Sequence, residues 1–263
     1  MGAGRRGPRS LGTRRRRRDP ARYAAGRGPR RPRRRPAAGT HRKRVTERIH
    51  VPVALPGGET LITAAWHGPA GDAPTVAIAH GAGAGMDHPF LVGLAEALGE
   101  LGVRTLRFNF PYVEAGRRLP GAAAHAILAW RAVLAEAHRR APRVWACGKS
   151  YGGRMASMAA AEGDFRVEGL IYLGYPLHQP GRPEKPRAEH LPRVTVPQLF
   201  VEGENDPFIQ PREQLEEVVA TCRDARIAWI AGANHSFEVK GARRPADEIG
   251  RGLAPLVADA THA

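Results

Sequence analysis

Val144-Trp145-Ala146-Cys147-Gly148-Lys149-Ser150-Tyr151-Gly152-Gly153-Arg154 joins two different hydrophobic patterns and sets one hydroxyl between glycines at the joint. Before Ser150 the run is short and apolar, as in a buried strand. After it, Met155-Ala156-Ser157-Met158-Ala159-Ala160-Ala161 is rich in small helix formers and predicts a close-packed helix. Gly148, Ser150 and Gly152 satisfy G-x-S-x-G, in which a serine sits on a strained strand-to-helix turn and the flanking glycines let neighbouring backbone approach it. The stretch reads as a nucleophile elbow. A phosphate loop, G-x-x-x-x-G-K-[ST], would need glycine where Arg143 stands and a loop where the pattern is a strand, so that reading is rejected.

Towards the N-terminus, residues 122–140 and 89–101 have helical spacing, the latter through Leu91, Leu94, Ala95 and Leu98, and 103–108 is an apolar run between them. Thr75-Val76-Ala77-Ile78-Ala79 suits a central strand, and 48–53 with 60–66 predict an edge hairpin around Pro56-Gly57-Gly58. Towards the C-terminus, 167–173, 197–201 and 227–230 read as strands and 212–220 as a helix, and the last helix is expected to break near Pro255. The segment 179–193 has four prolines and no periodicity, so no core element is expected there. Strands alternating with helices of this length predict an α/β protein with a mostly parallel central sheet covered on both faces. With the elbow, that is an α/β-hydrolase fold with no large lid domain.

The strand Thr75–Ala79 opens into His80-Gly81-Ala82-Gly83-Ala84-Gly85. A dinucleotide fingerprint would need glycine at Met86 and an acid where the next strand ends in Arg107-Phe108-Asn109, so no cofactor is expected. The glycines fit instead the loop that lends a backbone N–H to an oxyanion hole, and the N–H groups of Ala82 and Tyr151 are the expected pair. His80 is expected to brace this loop rather than carry chemistry.

A serine hydroxyl hardly ionises at neutral pH, so it needs a base, and the base needs an orienting acid. In this fold the three occur in the chain order serine, acid, histidine, each just past the carboxyl end of a strand. Ser150, Asp206 and His235 meet both conditions. Asp206 precedes Pro207 and could serve only to start a turn, which leaves Glu202 and Glu204 as spare acids. Glu204 is the better placed of these, because Glu202 still lies on its strand. His235 has its own alternative as a surface-loop histidine.

The formal charge of +16 suggests a nucleic-acid binder until it is divided along the chain. Residues 1–44 hold 18 of the 41 Lys and Arg and a single acid, Asp19, so the rest is almost neutral. Arginine runs at 14–18 and 33–35, set among Pro, Gly and Ala, offer few apolar groups to offset the entropy of ordering, and disorder is expected. No apolar stretch of 7–15 residues follows these arginines, so they do not form a secretory signal. They read as an arm for nucleic acid or anionic lipid, or, as the preferred alternative, as GC-rich DNA translated upstream of a true start, with Val45 as a GTG initiation codon. The 219 residues from Val45 suffice for one domain with a large core. Cys147 and Cys222 lie 75 positions apart in no metal-binding spacing, and Cys147 is expected to pack as a small hydrophobe. No metal is expected, and no apolar run reaches the length of a membrane span, which points to the cytoplasm.

Several motifs now stand together: Gly148-Lys149-Ser150-Tyr151-Gly152-Gly153-Arg154-Met155-Ala156-Ser157, Arg107-Phe108-Asn109-Phe110-Pro111-Tyr112, Gly174-Tyr175-Pro176-Leu177-His178, Pro183-Glu184-Lys185, Glu189-His190-Leu191, Asp206-Pro207-Phe208 and His235-Ser236-Phe237. From about Val51 onward the chain resembles a bacterial α/β-hydrolase family, similar to dienelactone hydrolases and to the hydrolase-like domain of an NSL histone-acetyltransferase complex subunit. The resemblance implies the hydrolase fold and puts Ser150, Asp206 and His235 on the triad positions. It implies no substrate, and the nucleophile is serine where the dienelactone hydrolases have cysteine.

The leading functional expectation is a serine hydrolase that cleaves a small carboxylic ester, thioester or lactone through an acyl-enzyme. Two others stay open: a non-catalytic protein-interaction module on the same scaffold, and a nucleic-acid-associated protein acting through the basic tail. Residues 179–193 fall where many such enzymes insert a lid, yet they are too few for a helical cap, so an open site for compact substrates is expected. Arg182, Lys185, Arg187 and Arg193 against Glu184 and Glu189 give that segment a net charge of +2, His178 and His190 flank or join it, and Lys149 adds a cation beside the nucleophile. Lys149, Arg182, Lys185 and Arg187 are therefore expected to draw in an ester that carries a carboxylate or phosphate.

Overall fold

The computed structural model describes residues 1–2 and 46–262, and the fold is that of 46–262. The expected disordered arm, 1–44, lies outside the described residues beyond its first two.

Pro56-Gly57 turns the chain between β1 (Glu47–Leu55) and β2 (Gly58–His67), an antiparallel hairpin whose last pair is Leu55 with Gly58. From there strands and helices alternate: β3 (Thr75–Ala79), α1 (Pro89–Glu100), β4 (Arg104–Phe108), α2 (Pro111–Glu114), α3 (Ala123–His138), β5 (Val144–Lys149) and α4 (Tyr151–Glu162). The second half adds β6 (Leu170–Leu173), β7 (Gln198–Gly203), α5 (Arg212–Ala220), β8 (Ala225–Ile230) and α6 (Ala246–His262). The eight strands lie in the order β1-β2-β4-β3-β5-β6-β7-β8. β2 pairs antiparallel with β4, and every pairing from β4 to β8 is parallel.

Side chains alternate across a strand, and here both faces are apolar, as a sheet covered on two sides requires. Val76 and Ile78 of β3, Trp145 and Cys147 of β5 and Ile171 and Leu173 of β6 pack beneath α1 and α6. Their neighbours Ala77, Ala79, Ala146 and Tyr172 pack on the opposite face with Trp130 of α3 and Met155 of α4. Cys147 is 0% exposed, burial pushes its thiol up, and neither cysteine forms a disulfide, as the hydrophobe reading expects.

Two expectations need correction. α6 does not break at Pro255 but runs through it. A proline removes one bond to the carbonyl four residues earlier, here Arg251, and Pro255 lies on the exposed side of the helix, where solvent can take that carbonyl. The segment between β6 and β7 has only a single 3-10 turn, Leu191–Arg193, yet it does enter the core, through the buried side chains of Ala188 and Leu191. Among the described residues, no cap helix is inserted between β6 and β7.

The strand order reverses beside β3. The chain leaves β3 for β4 on one side and returns past it to β5 on the other, so α1 and α4 diverge onto opposite faces. Ligands of open α/β sheets bind in the crevice that such a divergence leaves at the carboxyl ends of the strands.

Candidate active site

Ser150, between β5 and α4, has φ 48° and ψ −113°, a backbone conformation that a residue with a side chain rarely adopts. Such strain costs about 1–3 kcal/mol and persists only where its surroundings hold it. Ser150 N donates to Leu173 O at 3.0 Å, Arg154 N donates to Ser150 O at 3.1 Å, and the indole of Trp130 donates to Gly152 O at 3.0 Å. The two glycines of the motif are required by close approach. A Cβ at Gly148 would strike the backbone of Gly153, and one at Gly152 would lie 2.6 Å from His80 O.

From this elbow a hydrogen-bonded chain runs unbroken. Ser150 Oγ lies 2.9 Å from His235 Nε2, and His235 Nδ1 lies 2.6 Å from Asp206 Oδ2. Asp206 is 0% exposed, and its other oxygen accepts from Phe208 N at 2.8 Å. The Phe208 ring packs on the imidazole at a centroid distance of 4.2 Å. Burial lowers the His235 pKa, the bond to Asp206 raises it, and the Lys149 charge lowers it again, leaving the imidazole below its ordinary value. With Nδ1–H donated to the carboxylate, Nε2 is left to accept the serine proton.

The spare acids are engaged elsewhere. Glu204 accepts from Gly232 N at 3.0 Å and pairs with Arg212 at 3.3 Å. Glu202, 0% exposed, accepts from Tyr175 N at 2.6 Å, and burial raises its pKa well above the carboxylate range. A second serine–histidine contact, Ser157 Oγ to His190 Nε2 at 2.7 Å, has no carboxylate behind it among the described residues, and Ser157 is buried and bonded to Arg154 O.

Loop 80–88 closes the site from the β3 side. His80 Nδ1 bonds to Gly81 O at 2.8 Å and His80 Nε2 accepts from Phe110 N at 3.1 Å, while burial lowers the imidazole to about 4. It is therefore a neutral brace, as its position in the sequence suggests. Asn109 Oδ1 accepts from Met86 N at 2.8 Å, and Arg107 donates to Met86 O, which gives the Arg107-Phe108-Asn109 stretch a role that sequence reasoning missed.

A pocket of about 570 Å³ opens over Ser150 and His235 and is lined in part by Ala82, Tyr151, Lys149, Arg154 and Arg187. Of the four cations expected to meet a substrate, Arg187 reaches this wall. Lys149 lies on it with its ammonium committed, because Nζ donates to His235 O at 2.7 Å. Arg182 and Lys185 are exposed and do not line it. Of the two histidines of that segment, His178 is buried with Nδ1 bonded to Gln179 O, and burial lowers the pKa of His190 to about 4. Arg154, which the sequence did not single out, also lines the pocket. The available signal was its spacing, four residues after Ser150 on a helix, which puts both on one face.

A family model described as an alpha/beta hydrolase domain matches residues 72–248. The chain belongs to that family. Solved structures with this α/β-hydrolase fold include an alpha-beta serine hydrolase homologue from Coxiella burnetii, 24% identical, covering 81% of this chain and 96% of that chain with a TM-score of 0.61. A dienelactone hydrolase from Anabaena variabilis is 21% identical over 81% of this chain and 96% of its own, also at 0.61. A Xanthomonas campestris protein described as a serine hydrolase without lid is 21% identical over 81% and 94%, again at 0.61. The present α/β hydrolase shares that lidless outline, and among its described residues no helix is long and apolar enough to cross a membrane.

Proposed function

We propose that this chain is a serine hydrolase that cleaves a small carboxylic ester, thioester or lactone through an acyl-enzyme. The observation that carries the reading is the hydrogen-bonded chain from Ser150 through His235 to Asp206, mounted on a strained elbow in an open pocket. Ser150 Oγ attacks the carbonyl carbon while His235 Nε2 takes its proton, and the same proton goes to the leaving oxygen or sulfur as the tetrahedral intermediate collapses. Water then repeats the sequence on the acyl-enzyme and releases the acid. Asp206 holds the imidazole in the required tautomer and stabilises its cation. The N–H groups of Ala82 and Tyr151 receive the oxyanion. This role is supported by the presence of both residues on the pocket wall and by the place of Tyr151 at the first turn of α4, where helix amides have no intrahelical partner.

The deciding experiment treats the protein with a fluorophosphonate and locates the adduct by peptide mass spectrometry. A single adduct on Ser150 is expected, and an unlabelled Ser150 with label on Ser157 or Ser236 would end this assignment. A second expected result concerns pH. A general base acts when unprotonated, and His235 is held below the ordinary imidazole value, so its active form persists into mildly acidic solution. The acidic limb of kcat/KM, which reports the free enzyme, should fall at an apparent pKa below about 6.5. A limb at pH 7 or above would count against His235 as that base.

A further inference from the structure

The two walls of the cleft come from opposite faces of the sheet and differ in chemistry. On one side stand Phe90, Leu91 and Ile249 of α1 and α6, part of the apolar layer on that face. On the other stand Arg154, one helical turn beyond Ser150 on α4, and Arg187 from the segment between β6 and β7. Among the described residues, several partly buried arginines meet a carboxylate: Arg107 with Asp87, Arg131 with Glu162, Arg140 with Glu47 and Arg212 with Glu204. Among the described residues, the guanidinium groups of Arg154 and Arg187 meet none; Arg154 Nε is buried with no hydrogen-bond partner, as are the Nε atoms of Arg107 and Arg131, but unlike theirs its guanidinium has no carboxylate beside it.

That arrangement is costly as it stands. A buried donor without a partner loses its hydration for nothing. Burial lowers the pKa of Arg154, and the Arg187 charge lowers it further against the opposing influence of Tyr175, which places the two cations in each other's field. The backbone that carries Arg187 is pinned all the same, since Arg187 N donates to Leu177 O at 2.6 Å and Tyr175 Oη donates to Arg187 O at 2.8 Å. The acid on the pocket wall, Glu238, is exposed and bonded to Asn234 Nδ2 at 3.1 Å. An anion arriving with a ligand would supply the partner that the arginines lack. A carboxylate suits them, because its two oxygens match the planar donor fork of a guanidinium.

We infer that Arg154 and Arg187 form a carboxylate subsite, and that the substrate is a compact ester, thioester or lactone bearing a free carboxylate at one end and an apolar portion at the other. This rests on the serine-hydrolase reading above and names its substrate class. It also replaces the exposed residues Arg182 and Lys185 with a pair inside the cleft.

The test measures kcat/KM at low ionic strength for two matched pairs of esters. One pair carries the charge on the acyl side, mono-para-nitrophenyl adipate against its terminal carboxamide. The other carries it on the alcohol side, para-(butyryloxy)benzoate against para-(butyryloxy)benzamide. At least one carboxylate should be preferred by about tenfold or more, the scale of a charge-assisted contact. Arg154→Gln and Arg187→Gln should each bring that ratio towards one, and Arg154→Lys, which keeps the charge and loses the fork, should fall between. Arg182→Ala and Lys185→Ala should leave the ratio where it was. The same ligands titrated calorimetrically into Ser150→Ala protein read the subsite without turnover, and there too the carboxylate should bind about tenfold tighter. Fluorophosphonate labelling of Ser150 and hydrolysis of the carboxamides, with both ratios at one, would overturn the subsite and leave the hydrolase reading intact. Absence of labelling and turnover, with tight carboxylate binding, would do the reverse. Preference for a phosphonate isostere over the carboxylate would overturn the assigned class.

Discussion

Ser150→Ala protein should fold as the parent does and lose ester hydrolysis by on the order of a millionfold in kcat, the scale of loss when a serine nucleophile is removed. Both side chains carry a Cβ, so the strained backbone at φ 48° is asked of alanine just as it is of serine. The bonds that hold the elbow, from Ser150 N to Leu173 O and from Trp130 to Gly152 O, do not involve the hydroxyl. What disappears is the atom 2.9 Å from His235 Nε2, and with it the covalent route. The nearby hydroxyl that also touches a histidine, Ser157, cannot substitute, being buried and occupied with Arg154 O and His190. Turnover of para-nitrophenyl butyrate together with a thermal melt provides the check. Residual activity within a hundredfold of the parent, at an unchanged melting temperature, would remove Ser150 from the mechanism.

Asp206→Asn should cost on the order of ten-thousandfold in kcat with the fold preserved. The reason lies in the two partners of this side chain. Phe208 N donates to Oδ1, and an asparagine can satisfy that donor only by keeping its carbonyl oxygen there. Its NH2 group is then turned towards His235 Nδ1, a donor where the imidazole also holds a proton. The histidine must adopt the other tautomer and present N–H to Ser150, which leaves no base for the serine proton. Because the carboxylate is fully buried, water has no room to repair the exchange. A loss of less than tenfold would mean that the imidazole is oriented by something other than Asp206.

The placement of three polar groups at strand ends was legible in the sequence, because an elbow serine, an acid and a histidine each follow their own apolar run. The structure brings Ser150, Asp206 and His235 within hydrogen-bond reach and turns Glu202 and Glu204 to other partners. The contacts that substrate would meet were legible only in part. Arg182 and Lys185 looked relevant because their segment is basic, but charge along a loop does not say which way the loop faces. Lys149 is next to the nucleophile in sequence, yet its ammonium reaches the carbonyl of His235, a contact 86 positions away. Arg154 was in plain view inside the elbow motif, and helix geometry alone gives it meaning. Pro255 was misread for a similar reason, since a proline on the exposed side of a long helix interrupts one hydrogen bond and leaves the packing of Leu253, Ala254 and Val257 intact.

If the proposed acyl-enzyme forms on Ser150, the short stretch between β6 and β7 would also govern what becomes of its acyl group. A helical cap would shut the ester carbonyl away with one chosen water, whereas a cleft to which this stretch lends Arg187 but no helix would leave that carbonyl facing bulk solution. Selection of the second nucleophile then falls to concentration and intrinsic reactivity instead of to a gate. On that reading water, at about 55 M, would prevail by abundance, on the order of molar alcohol or a lesser amount of thiol would compete with it, and acyl transfer to such acceptors is the expected side reaction.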